Sequence, residues 1–98
     1  MKKIVFKLGK IIYDEFHIDF SKPFSEQLDS LTEDLLQIEY ENGYLIDLGW
    51  YPEFDENGKF TLQLIKNGDW RNPAYKKSFR DCKQLEKNLL YVINILEK

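Results

Sequence analysis

His17 and Cys82 are the only imidazole and the only thiol in this 98-residue chain. A closed zinc site takes four Cys or His ligands, so one of each excludes it within a single chain. His17 stands between Glu15 and Asp19 in "EFHIDF". On one strand face that alternation sets an imidazole between two carboxylates, and Asp14 is near enough to join a divalent-cation set. The polar side of a half-exposed strand produces the same pattern and is the simpler expectation. Nucleophilic catalysis would need His17 beside a serine or Cys82, and no spacing suggests it. Glu53 and Asp55 could share acid and base work, but that needs a cleft, which a hairpin tip seldom supplies. The residues therefore point away from catalysis, cofactors and metals.

They point instead to contact. The stretch "GWYPEFDENGKF" crowds Trp50, Tyr51, Phe54 and Phe60 together with Glu53, Asp55 and Glu56. The formal net charge of -3 hides a block structure. Residues 1–12 hold four lysines and no acid, and residues 57–98 hold nine bases against four acids. Residues 13–56 hold thirteen acids against Lys22 alone, a local charge of -12. Such a block attracts a cationic partner, raises its encounter rate and repels nucleic acid phosphates. Solvated faces kept for solubility would give the same count. The basic stretch Lys76, Lys77, Arg80, Lys83 and Lys87, interleaved with Tyr75 and Phe79, could touch nucleic acid, but with a pI near 5.1 an intramolecular, neutralising role is more economical.

The elements that must position these residues follow from periodicity and punctuation. With 43% hydrophobic and 15% aromatic residues, the chain reads as one folded domain over 1–98. "KIVFKL" and "EFHIDF" alternate as strands, although Ile4, Leu8, Ile11, Ile12 and Phe16 also fit a helical stripe, so residues 1–20 stay open between strand and helix. From 24 to 39, Leu28, Leu31, Leu35 and Ile38 recur at spacings of three and four behind Ser21, Pro23 and Ser25, which predicts a helix with Asp29, Glu33 and Asp34 turned outward. A hairpin spans Tyr44–Ile65. A two-residue Asn57–Gly58 loop would set Trp50 beside Ile65 and mix the faces. A three-residue loop, Glu56 to Gly58, pairs Phe54 with Phe60 and Trp50 with Leu64, leaving Asp47, Tyr51, Glu53 and Asp55 on the other side. Pro52 marks an edge or an interruption near the tip. "AYKKSF" reads as a short strand, and a helix over about 82–97 is capped by Asp81 and buries Leu85, Leu89, Val92, Ile93 and Leu96, with Cys82 in line. The fold expected is α+β: an antiparallel sheet of three to five strands carrying two amphipathic helices.

The run "YLIDLGWYPEFDENGKF", followed by "LIKNGDWRNPAYKKSF" and the closing amphipathic helix, resembles small bacterial immunity proteins of contact-dependent growth inhibition and related polymorphic toxin systems. That resemblance implies binding to the toxin domain of a cognate effector, often a nuclease, in the cytoplasm, so that its active or substrate-binding surface is blocked. No membrane is implied and no direct nucleic acid contact. The partner-binding residues expected from the hairpin register are Asp47, Tyr51, Glu53, Asp55 and Glu56, with Asp69 and Trp70 beside them. A cytoplasmic location also fits a lone cysteine, the absence of any apolar run near the roughly 20 residues of a membrane helix, and lysines within the first ten residues. A small regulatory or adaptor module that binds another protein is the alternative reading.

Overall fold

The computed structural model describes Ile4 and residues 6–97. Five strands form one antiparallel sheet in chain order: β1 (Lys10–Asp14), β2 (Leu36–Glu39), β3 (Tyr44–Tyr51), β4 (Lys59–Lys66) and β5 (Tyr75–Phe79). One helix follows, α1 (Cys82–Leu96), and it lies over β4 and β5. Its start follows the capping rule, with Asp81 in extended conformation and its carboxylate accepting from the Gln84 N–H at 2.7 Å.

The region expected to be a helix over 24–39 contains two single 3₁₀ turns, Phe24–Glu26 and Leu28–Ser30, and then strand β2. The leucine spacing held two periods at once. Leu36, Ile38 and Tyr40 are buried at period two, which lets β2 fill the slot between β1 and β3 and gain two ladders of backbone bonds. A helix there would have kept Leu28 in the core, yet it is 39% exposed. Among the described residues, neither expected N-terminal strand forms as placed. β1 lies between them, with a bulge between Ile11 and Tyr13, while Phe16, Ile18 and Phe20 reach the core from irregular backbone. Of the stretch at 3–8, Ile4 and Phe6 pack against the core, and residues 1–3 and 5 lie outside the described residues.

The β3–β4 hairpin forms in a different register. Trp50 pairs with Phe60, Leu48 with Leu62 and Ile46 with Leu64, so the connection is the seven-residue stretch 52–58 rather than a three-residue loop. The slide is four residues. An even slide keeps every side chain on its face, which is why the division of faces survives the wrong pairing. β3 stops at Tyr51, immediately before Pro52. Phe54, expected in the apolar row, instead sits in the loop at φ 61° and is 53% exposed.

One face of the sheet carries the core. Ile46, Leu48, Trp50, Phe60, Leu62 and Leu64 are at most 3% exposed and meet Leu85, Leu89 and Val92 of α1. At the hairpin end, Phe16, Phe20 and Phe24 take over from the helix, packing on Phe60 and Trp50 with ring centroids 4.7 to 6.3 Å apart. The opposite face has no helix.

Candidate functional site

The helix-free face is reached by the register row Tyr13, Gln37, Asp47, Gln63 and Lys76, one residue from each strand. Two residues along β3 from Asp47 is Gly49, and there the backbone of the 31–35 segment crosses. A Cβ on Gly49 would overlap the Glu33 carbonyl, so only glycine lets the chain pass this close. The crossing is fixed on both sides, with Leu35 N–H donating to the Leu48 carbonyl at 3.0 Å and Trp50 N–H to the Thr32 carbonyl at 2.9 Å. Phe54 N–H also donates to the Leu31 carbonyl at 2.7 Å, tying the hairpin loop to the same segment. The effect is to carry Glu33 and Asp34, both exposed, over the end of β3.

Tyr51 stands within this group. Its hydroxyl points at the Glu33 carbonyl, 3.4 Å away, while the side chain as a whole stays 37% exposed. Its phenol is pushed up by burial first and then by the negative charges of Asp47, Glu33, Asp34 and Glu53. Asp47 differs from its neighbours. It is 2% exposed, accepts from Gln37 Nε2 at 2.9 Å, and is pushed up by burial, with Asp34 adding and the Gln37 bond opposing. An aspartate this covered supports the site from below and does not present its charge to a partner.

Beside this group opens a cavity of about 390 Å³ lined by Tyr13, Glu15, His17, Asp29, Ser30, Thr32, Asp34 and Glu53. Four carboxylates face it and no lysine or arginine does. His17 Nε2 lies within hydrogen-bond distance of Glu15 Oε2, 2.9 Å, both side chains being mostly exposed. Among the described residues, none of Lys76, Lys77, Arg80, Lys83 and Lys87 is salt-bridged to an acid of residues 13–56. Arg80 turns instead to the hairpin tip, donating to the Gly58 and Glu56 carbonyls and lying 5.1 Å over Phe24 and 5.6 Å over Trp50. No group of three or more His, Cys, Asp or Glu among the described residues has metal-binding geometry.

Of the seven residues expected to meet a partner, Asp47 is buried and presents no charge, and the other six separate into three groups. Tyr51 and Glu53 are exposed and belong to the acidic surface just described. Asp55 and Glu56 build the tip: Asp55 caps the Asn57 N–H at 2.8 Å and takes Trp50 Nε1 on its carbonyl at 2.7 Å, while the Glu56 side chain is exposed. Asp69 and Trp70, both exposed, are not beside the tip. They follow β4, whose eight residues put them at the other end of the sheet, about 25 Å away at the usual strand rise. The sequence reading missed Asp29, Glu33 and Asp34 as site residues because it gave them the outer face of a helix that does not form. Comparison with protein-family models, with curated proteins and with solved structures found no match.

Proposed function

We propose that this chain is an immunity protein that binds a cationic toxin domain, and that the acidic surface around Tyr51 is where it does so. The observation that carries the reading is the cavity walled by Glu15, Asp29, Asp34 and Glu53, with His17 beside Glu15 and no lysine or arginine on its lining. A lysine or arginine side chain has the size and charge to enter it. Glu33 and Asp34 extend the negative field across the sheet end, and the half-exposed Tyr13 and Tyr51 supply aromatic contact area. Carboxylates on a rim accelerate association, whereas buried rings slow dissociation. Capture of a cationic substrate-binding surface, such as that of a nuclease, would block it without any chemistry on the inhibitor's side.

The reading expects a neighbouring gene for a large exported protein, and the test is co-expression of this chain with that protein's C-terminal domain. Cells survive when both are present and die when this chain is absent. In the purified pair, Asp34→Lys with Glu53→Lys lowers the association rate by about tenfold or more at low salt, and the difference narrows as salt rises. Survival without this chain, or an association rate indifferent to both salt and charge reversal, refutes the proposal.

A further inference from the structure

The sheet has a second feature, on the opposite edge from the acidic cavity. β5 is the last strand, and among the described residues no backbone bond reaches its outer side. An edge of this kind presents alternating N–H and C=O groups to whatever lies alongside. Beside it runs the flank of α1. Tyr75 of β5 donates its hydroxyl to Asn88 Oδ1 at 2.7 Å, and its ring lies 5.5 Å from that of Tyr91. Helical spacing puts Ile95 one turn beyond Tyr91 on the same flank and Lys87 one turn before it. Tyr91 and Ile95 are 54% and 48% exposed, so this flank offers apolar area beside the open edge. Lys77 completes the surface. It pairs with Leu62 in the ladder, so it leans to the helix side, and it is exposed, as is Lys87.

We propose that the β5 edge and the adjoining flank of α1 accept an extended acidic segment of a partner protein as a sixth strand. Main-chain bonds to β5 would hold the segment, its alternate side chains falling against Tyr91 and Ile95, with carboxylates meeting Lys77 and Lys87. A second copy of this chain is disfavoured as occupant, since full antiparallel pairing of β5 with itself sets Lys77 opposite its own counterpart. Nucleic acid would leave Ile95 and the tyrosine pair without an apolar partner. This edge lies across the sheet from the acidic surface, and neither site needs the other.

The experiment uses the full chain and a fluorescent heptapeptide, acetyl-Glu-Val-Glu-Tyr-Glu-Val-Glu amide, followed by anisotropy. Binding is expected, accompanied by slowed hydrogen exchange at alternate β5 amides. Lys77→Glu and Lys87→Glu should each weaken it about tenfold with melting temperature unchanged. A peptide with proline at alternate positions, unable to donate to the edge, should not bind. No binding of the acidic peptide overturns the proposal. So does equal binding of the proline peptide, protection of amides outside β5, or affinity unmoved by both charge reversals.

Discussion

Replacing Gly49 by alanine tests how the acidic surface is assembled. The added methyl would occupy the space of the Glu33 carbonyl, so the 32–34 segment must lift from β3. Two backbone bonds hold that segment down, Trp50 N–H to Thr32 and Leu35 N–H to Leu48. At about 1 kcal/mol net for each, their loss costs about 2 kcal/mol, and strain from forcing extra volume into a packed contact adds about 1–3 kcal/mol. Alanine recovers about 0.7 kcal/mol by narrowing the unfolded ensemble. The balance is a destabilisation of about 3 kcal/mol, which for a domain of this size lowers Tm by about 15 °C. Thermal unfolding followed by tryptophan fluorescence is the direct assay, because Trp50 is fully buried and adjacent to the change. A Tm within about 2 °C of the parent would mean that the crossing is not tight, and the account of how Glu33 and Asp34 are positioned would fail.

Two further outcomes follow from the core and from the covered aspartate. Phe60 contacts the rings of Phe16, Phe20, Phe24, Trp50 and Phe79 and has no exposed surface, so Phe60→Ala should cost about 3–5 kcal/mol in urea unfolding; a loss below about 1 kcal/mol would contradict its place at the centre of the cluster. Asp47 is raised above its ordinary pKa by burial, so the folded state keeps a proton that the unfolded chain has already released, and stability falls as pH rises from the ordinary carboxylate value through the raised one. Asp47→Asn keeps an acceptor for Gln37 and removes the buried charge. It should melt above the parent at pH 7 and lose the advantage below the ordinary carboxylate pKa; a lower Tm at pH 7 would show that the carboxylate is stabilising where it lies.

The sequence by itself determined those features that depend on local chemistry or on parity. Asp81 and the spacing of Leu85, Leu89, Val92 and Ile93 fixed the closing helix, because a cap and a 3.6-residue period are properties of one segment. The division of the hairpin into an apolar and a polar face was equally legible, since alternation does not change when strands slide by an even number of residues. The concentration of acid over 13–56 was readable as a count, but its shape was not. Only the tertiary structure decided that "LLQIE" pairs as a strand, because the gain from lying between β1 and β3 comes from residues distant in sequence. That choice moved Asp29 and Asp34 from the side of a helix to the wall of a cavity with Glu15 and Glu53, and Glu33 to the neighbourhood of Tyr51. It also buried Asp47, whereas the far-end position of Asp69 and Trp70 follows from strand length alone; which segment crosses at Gly49 is not encoded in spacing along the chain, because that contact is made by residues distant in sequence.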